Sequence, residues 1–279
     1  MLKIWYYQLC GDHLMIISLL KQEEIWGDNS LEIFKYYGKR TAVTDLAVTL
    51  GALMVSDVKT SEGDLSGYVW TSSPYQNKYT VAVAYDGEFS YNYPYIRRHA
   101  VRPVIRAKEM PVFGQDRIQL HNKRFLNVYQ YGSFPQDLAD PEIGPVLTYF
   151  FKKDQLRLTG RSFTFDGVML NSSNLAFDPL TYPEYVLDGK KYIRVVAQKA
   201  DAESVLSNGQ LLQENKLYWL EVKPIEWLFD EKTQIYISKK ALFAGITFND
   251  TLTYSGDFSK TFLNHYLNTY FSQEVLTFK

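Results

Sequence analysis

The sequence predicts an α+β fold in which antiparallel hairpins form the sheets and helices flank them. Asp-Gly links stand between strand-like segments at Asp86-Gly87 and again at Asp188-Gly189. Such a link is a strong hairpin signal, because a type I′ turn requires positive φ at both central residues. The chain then ends in a helical pattern within residues 256–271. Its apolar side chains are Phe258, Phe262, Leu263, Tyr266, Leu267, Tyr270 and Phe271.

Composition limits the class of protein. The 279 residues are 46% hydrophobic, enough to bury a full core, and the net charge of −1 gives no sign of a polyanion-binding protein as a whole. Residues 11–13 (Gly, Asp, His) interrupt the apolar run that a secretory signal needs, and no stretch is apolar for long enough to span a membrane. The single cysteine, Cys10, excludes an intramolecular disulfide framework and favours a reducing cytoplasm.

The first sixty residues contain helical patterns. Ser30 as N-cap and Gly38 as stop predict a helix over 30–38, and Thr44 or Asp45 begins a second, more buried helix that tolerates Gly51. Residues 12–25 fit either a helix capped by Asp12 or a strand, and this choice stays open.

The first Asp-Gly link, taken as a two-residue turn, predicts a register. It places Ala84 opposite Phe89 and Ala82 opposite Tyr91, so that small alanines interlock with large aromatic rings in a core. Residues 75–79 and Tyr95 lie outside this interlocking region, in loops or at strand ends.

The middle of the chain is predicted to be a connector, residues 107–128, because it lacks a clean period. Around it, the segment 97–124 contains eight Lys or Arg against two acids. Beyond it, residues 217–229 and 234–238 are predicted strands joined by a turn, with Pro224 marking an edge or a bulge.

Several motifs together resemble a known family. "YVWTSSPY", the first Asp-Gly hairpin and "HAVRPVIR" resemble the C-terminal part of C-type-lectin-like domains found in formylglycine-generating-enzyme relatives and in uncharacterised bacterial and prophage proteins. "YGSFPQ", "VKPIEWLF", "IYISKKALF" and "FLNHYLNTYFS" resemble the N-terminal part of the same group. The resemblance implies a lectin-like fold of twisted antiparallel sheets and hairpins with flanking helices. It implies no activity.

The order of these motifs is reversed relative to the family. Residues 1–106 correspond to the family's C-terminal half, 107–128 connect, and 129–279 correspond to its N-terminal half. This order fits a circular permutation in which 129–279 complete the same globular unit as 1–106. It also fits halves that are each completed by a different neighbour.

The candidate ligand-binding residues lie around the aromatic hairpin. Tyrosine offers large, rigid, amphipathic contact area, and asparagine and similar side chains add adaptable hydrogen bonds. The predicted ligand-binding residues are Tyr75, Gln76, Asn77, Tyr79, Tyr95, Arg97 and Arg98. Arg97, Arg98 and His99 beside tyrosines also suit single-stranded nucleic acid, but without a recognisable RNA-binding motif a solvated basic patch explains them better. Arg102, in "VRPV", is predicted to be structural.

The sequence gives little support for catalysis, only a weak calcium signal from Glu88 with Asn92, and no sign of a cofactor. Cys10 has no partner thiol, and His13, His99, His121 and His265 show no metal-ligand spacing. We therefore expect a non-enzymatic module that binds a protein or carbohydrate through a tyrosine-rich surface and does not associate with membranes. The alternative is a phage or mobile-element protein that inhibits a host factor, such as a nucleoprotein, through the basic segment 97–124. Self-association is compatible with either hypothesis.

Overall fold

The computed structural model describes residues 8–10, 13–107, 114–119, 125–166, 179–249 and 251–276. The fold is α+β as predicted, with 42% strand and 18% helix and with antiparallel pairing between its strands. None of the helices in these described ranges is long and apolar enough to cross a membrane.

Fifteen strands are present in the described ranges. They are β1 (Gln8–Cys10), β2 (His13–Ser18), β3 (Met54–Lys59), β4 (Leu65–Gly67), β5 (Val69–Tyr75), β6 (Tyr79–Val83), β7 (Phe89–Asn92), β8 (Val104–Arg106), β9 (Gly114–Gln119), β10 (Phe125–Leu138), β11 (Arg157–Asp166), β12 (Pro179–Leu187), β13 (Lys190–Val196), β14 (Leu217–Asp230) and β15 (Ile235–Ser238). The helices are α1 (Gln22–Ile25), α2 (Glu32–Tyr36), α3 (Asp45–Thr49), α4 (Ile143–Lys152), α5 (Phe262–Tyr266) and α6 (Ser272–Val275).

One large sheet contains strands from both ends of the chain. Its order is β1-β2-β8-β15-β14-β13-β12-β11, and β10 pairs with β14 and with β9. Strand β8 lies between β2 and β15, so it joins the first hundred residues to the second half. Two smaller sheets, β3-β4 and β5-β6-β7, complete the fold.

The helices near the N-terminus are shorter than predicted. Helix α2 has Leu31 rather than Ser30 at its N-cap, and α3 begins after Thr44, whose side chain accepts a hydrogen bond from the Ala47 amide. Gly51 does not continue α3: its φ of +89° places it in the left-handed region just past the helix end. Of the segment 12–25, where helix and strand were both open, residues 13–18 form strand β2 and residues 22–25 form the short helix α1, while Asp12 lies outside the described residues.

The C-terminal helix packs on the core as predicted. It begins at Phe262, where the Thr261 side chain accepts a hydrogen bond from the Asn264 amide, and α5 and α6 are joined by a π-helical turn, Leu267–Phe271. Its fully buried side chains are Leu263, Tyr266, Leu267 and Phe271. Asn268 lies outside the apolar face and bonds both the amide and the carbonyl of Ile17, which fixes the helix beside β2.

The two Asp-Gly links form different turns. Asp188 and Gly189 both have positive φ (+50° and +78°) and Leu187 pairs with Lys190, which confirms the two-residue turn. At the first link only Gly87 has positive φ, Ala84 donates its amide to the Glu88 carbonyl, and Gly87 donates to the Ala84 carbonyl. This loop has three residues, 85–87, so the prediction of a two-residue turn there is wrong.

The prediction of a connector over 107–128 is also wrong in its described part. Residues 114–119 form β9, which pairs antiparallel with the first half of β10. Residues 108–113 and 120–124 lie outside the described ranges.

Pro224 lies inside the long strand β14. Opposite it, β10 shifts register, and on the other side neither β13 nor β15 pairs with this part of β14. A proline is tolerated at such a position because its missing N–H interrupts no regular ladder.

The main core draws on both halves of the chain. Trp70 and Ala82 from the small sheet, and Trp227 and Phe243 from the second half, belong to one continuous buried cluster. A second, smaller cluster lies under α4 and includes Trp219. The prediction that the halves fold as one cooperative unit stays a prediction.

Candidate functional site

The three-residue loop decides which side chains of the hairpin meet solvent. It sets Val83 opposite Phe89, Ala82 opposite Ser90 and Val81 opposite Tyr91. Relative to the predicted register, every pair is displaced by one residue, which moves β7 side chains to the other face of the sheet. The prediction that Phe89 and Tyr91 interlock with alanines in the core is therefore wrong: their side chains are 39% and 46% exposed.

The exposed rings form a continuous surface, which we call the aromatic strip. Its members are Trp26, Tyr75, Tyr79, Phe89, Tyr91, Tyr93 and Tyr95. Tyr75 is central, with its ring centroid 4.4 Å from that of Tyr91 and 5.5 Å from that of Phe89. Apart from Phe89 and Tyr91, the members are half-buried. Seven contacting rings therefore lie on one side of the small sheet, two of them exposed and five half-buried.

Buried residues hold the strip in place. Val81 and Val83 lie directly opposite Tyr91 and Phe89 on the same face and are almost completely buried. At the hairpin tip, a Cβ on Gly87 would lie 3.1 Å from the Lys39 side chain and 3.2 Å from the Arg40 amide nitrogen. The tip therefore rests directly on residues 39–40, and only a glycine allows this approach at φ +89°.

Polar groups lie at one end of the strip. The Tyr79 hydroxyl donates to the Tyr93 hydroxyl (3.5 Å), and the Lys78 ammonium nitrogen lies 5.2 Å from the Tyr93 ring centroid. The hydrogen bond from Tyr79, together with Lys78, lowers the pKa of Tyr93, whereas the same hydrogen bond raises the pKa of Tyr79. Lys78 is exposed at this end, while at the opposite, hairpin-tip end Asp86 and Glu88 are exposed beside Lys39 and Arg40.

Five of the predicted ligand-binding residues lie in or beside the strip. Tyr75, Tyr79 and Tyr95 are members. Gln76 and Asn77 are exposed in the β5–β6 turn, with φ of +52° and +51°. Sequence reasoning did not include Phe89, Tyr91 and Tyr93 in the site, although assuming a three-residue loop would have placed them on the exposed face. It also missed Trp26, for which the sequence carries no local signal.

The other two predicted residues are placed differently. Arg97 is 2% exposed, so it does not reach a ligand on the strip. Arg98 is half-buried, where it pairs with Asp201 and donates to the Gly51 carbonyl. His99 is 1% exposed, and its ring stacks on Trp70 at 4.2 Å; burial, with a contribution from Arg98, lowers its pKa to about 3.

The described part of the basic segment 97–124 does not form a basic surface. Arg102 is buried, donates to the Ser238 carbonyl (2.7 Å) and to Thr41, and is structural as predicted. Arg106 pairs with Glu24 at 2.8 Å. Arg117 is exposed on β9. Lys108, Lys123 and Arg124 lie outside the described residues.

Another concave region is a cleft of about 270 Å³ beside the middle of β14. Lys223, Lys239 and Lys240 line it, but each lies within 3.6 Å of a carboxylate of Asp137 or Glu226. Glu221 also lies 3.9 Å from Lys223, and Glu62 lies 3.1 Å from Lys239, so four carboxylates balance the three ammonium groups and the cleft has no excess positive charge for an anionic ligand.

The described residues contain no group of three or more His, Cys, Asp or Glu side chains arranged to hold a metal ion. The aromatic strip is thus the candidate functional site. No family model, curated protein or solved structure matches the chain.

Proposed function

We propose that the protein is a non-enzymatic binding module that recognises its ligand through the aromatic strip. The observation that carries the proposal is the continuous contact of seven aromatic rings, of which Phe89 and Tyr91 are about two-fifths exposed over buried valines and the other five are half-buried. Exposed aromatic side chains of this kind supply most of the binding energy at recognition surfaces.

A protein ligand fits the strip better than a carbohydrate. Two pairs of rings meet at steep angles, 66° between Tyr75 and Phe89 and 60° between Tyr79 and Tyr93, while Tyr93 and Tyr95 are nearly parallel at 17°. The surface therefore mixes ring edges with ring faces. A sugar ring stacks on an open, flat aromatic face, whereas protein side chains adapt to an uneven one. Tyrosine hydroxyls at the rim and a central apolar patch also match the usual composition of protein interfaces.

We further propose that the fold is C-type-lectin-like with its two halves in permuted order. The motifs "YVWTSSPY" and "VRPV" support this proposal, since they fall on β5 and just before β8. The pairing of β8 with β15 supports completion within one chain. A single cysteine supports a cytoplasmic location.

Binding assays with matched variants test the proposed function. The wild-type protein, a Tyr75→Ala/Tyr91→Ala double variant and a Leu211→Ala control are each used for affinity capture and on a glycan array. Leu211 is 60% exposed and lies outside the strip. We expect the double variant to lose the captured protein and Leu211→Ala to retain it. Ligand retention by the double variant would contradict the proposal, and glycan binding that requires the strip would replace a protein ligand with a carbohydrate.

A further inference from the structure

One end of the aromatic strip carries hydrogen-bond donors and a positive charge. The Lys78 ammonium nitrogen lies 5.4 Å from the Tyr79 ring centroid and 5.2 Å from that of Tyr93, and the two hydroxyl oxygens are 3.5 Å apart. Lys78 is exposed in the β5–β6 turn and hydrogen-bonds to these tyrosines. An ammonium group and two hydroxyls therefore converge at the margin of an apolar surface.

The Tyr93 hydroxyl is arranged to donate to a ligand. A hydroxyl group accepts two hydrogen bonds and donates one. The Tyr93 oxygen accepts from the Tyr79 hydroxyl and from Lys78, and both bonds lower the pKa of Tyr93. Since its two acceptor positions are filled, its own hydrogen is left to donate outwards. A phenol polarised in this way is a strengthened donor, which favours a negatively charged acceptor.

The charge of Lys78 is not balanced by an acidic side chain within the described part of the chain. Its pKa is raised by Tyr93 and Tyr79 rather than by a carboxylate. This separates Lys78 from the lysines of the cleft beside β14, each of which lies near a carboxylate. A partner with a negative charge would therefore find at this end a cation that it can pair with.

The apolar part of the strip is within reach of the same partner. The Tyr91 ring centroid lies 5.1 Å from that of Tyr79 and 4.4 Å from that of Tyr75. In an extended segment, residues two positions apart point to the same side and are about 7 Å from one another. A segment that places a large apolar side chain on Tyr75 and Tyr91 thus brings the second residue along the chain beside Tyr79 and Lys78.

We infer that the aromatic strip recognises an acidic protein segment, with a large apolar side chain on Tyr75 and Tyr91 and a carboxylate bound by Lys78 and Tyr93. The inference rests on the proposed function and adds the chemistry of the partner. Charge favours a carboxylate over a phosphate. A carboxylate carries one negative charge, which one ammonium group balances, whereas a phosphate carries about two and is typically held by a cluster of arginines.

Selection from a peptide library tests the inference. The immobilised wild-type protein should enrich random peptides that have aspartate or glutamate two positions from a large apolar residue. Lys78→Glu should enrich lysine or arginine at that position instead. Lys153→Glu, the same charge reversal at an exposed site on the end of α4, is the matched control and should select the wild-type sequences.

Three outcomes of the selection overturn the inference. The first is a wild type that enriches no acidic sequence, and the second is selection of the same acidic sequences by Lys78→Glu. The third is tighter binding of a synthetic peptide in which phosphoserine replaces the acid, which would assign the site to phosphate.

Variants that remove single groups give an independent measure, the affinity for the enriched peptide by fluorescence anisotropy. Lys78→Met should weaken binding about tenfold and reduce its dependence on salt, because the charged contact is lost. Tyr93→Phe keeps the ring but loses the donor and should weaken binding about threefold. Tyr149→Phe, which removes an exposed hydroxyl on α4, should have no effect. Unchanged affinity in both Lys78→Met and Tyr93→Phe contradicts the inference.

Failure of this inference can be told apart from failure of the proposed function. Tyr75→Ala/Tyr91→Ala should lose the selected peptides whether or not they are acidic. Peptides that require these two tyrosines but carry no acid contradict the acidic partner and leave the strip as the binding surface. Acidic peptides that the double variant retains contradict the strip itself, and this inference with it.

Discussion

At the scale of single residues, His99 is the clearest case of a side chain whose role the sequence obscures. It stands in a basic run between Arg98 and Arg102, yet it is buried against Trp70 and its pKa is lowered to about 3. The charged residues next to His99 in the sequence suggested an exposed segment. No local pattern shows that residues 99–101 pass through the core. Burial depends on long-range contacts such as the bond from the Val101 amide to the Phe243 carbonyl.

The buried imidazole makes stability depend on pH. Histidine in the unfolded chain has an ordinary pKa of about 6.5, so between that pH and about 3 the unfolded state binds the proton more readily than the folded state. The contribution of neutral His99 to the free energy of unfolding is complete above about pH 6.5. It is lost as the pH falls, by up to about 1.4 kcal/mol per pH unit.

Urea unfolding gives the free energy of unfolding of the wild type and of His99→Phe at each pH from 7.5 to roughly 4.5. The contribution of His99 is the difference between the two proteins in how steeply this free energy changes with pH. We expect the unfolding free energy of His99→Phe to change less steeply with pH than that of the wild type. Equal slopes for wild type and His99→Phe would show that His99 is not the titrating group.

At the scale of elements, the hairpin 79–93 shows how far turn chemistry predicts a structure. The sequence correctly located both hairpins, and at Asp188-Gly189 it also predicted the register. At Asp86-Gly87 the same dipeptide closes a three-residue loop, because the tip packs on Lys39 and Arg40 and Phe89 packs on Trp26. Those contacts are distant in sequence, and a one-residue slip was enough to reverse the predicted core and surface faces.

The two glycines provide a matched test of this packing. Gly87→Ala and Gly189→Ala both place alanine at positive φ (+89° and +78°), but a Cβ at Gly189 meets nothing within 4 Å. We expect Gly189→Ala to cost about 1 kcal/mol of unfolding free energy and Gly87→Ala about 1 to 2 kcal/mol more, because the tip must also move. Equal costs in thermal unfolding would mean that the tip does not rest on residues 39–40.

The reversed faces make a second prediction about this element. Tyr91→Ala should lower the free energy of unfolding by less than about 1 kcal/mol, because Tyr91 is 46% exposed and lies outside the core. Val81→Ala, at the fully buried position opposite, should cost about 1.5 to 3 kcal/mol. If Tyr91→Ala is the more damaging variant, the interlocking register predicted from the two-residue turn is the correct one.

At the scale of the whole molecule, the large sheet and the main core combine residues 1–106 with residues 129–279. Strand β8 pairs on one side with β2, which belongs to residues 1–106, and on the other side with β15, which belongs to residues 129–279. The main core contains side chains from both of these ranges. Sequence periodicity could not predict this partnership, because pairing between strands more than a hundred residues apart leaves no local pattern.

Separate expression of 1–106 and 129–279 tests whether the two segments form one cooperative unit. Each fragment alone should lack a sharp thermal transition, since each leaves β8 or β15 without its partner and exposes part of the shared core. Co-expression should recover a folded complex. Two fragments that each unfold cooperatively would establish two independent domains.

The central claim, that the aromatic strip is the recognition surface of the folded molecule, is tested most directly by tyrosine footprinting of the wild-type protein. Chemical modification is compared with and without the captured ligand. Tyr149, which is 58% exposed on α4, serves as the internal control. The account predicts that Tyr75, Tyr79, Tyr91 and Tyr93 lose reactivity in the complex while Tyr149 keeps it. Unchanged reactivity of the strip in a saturated complex would contradict the account.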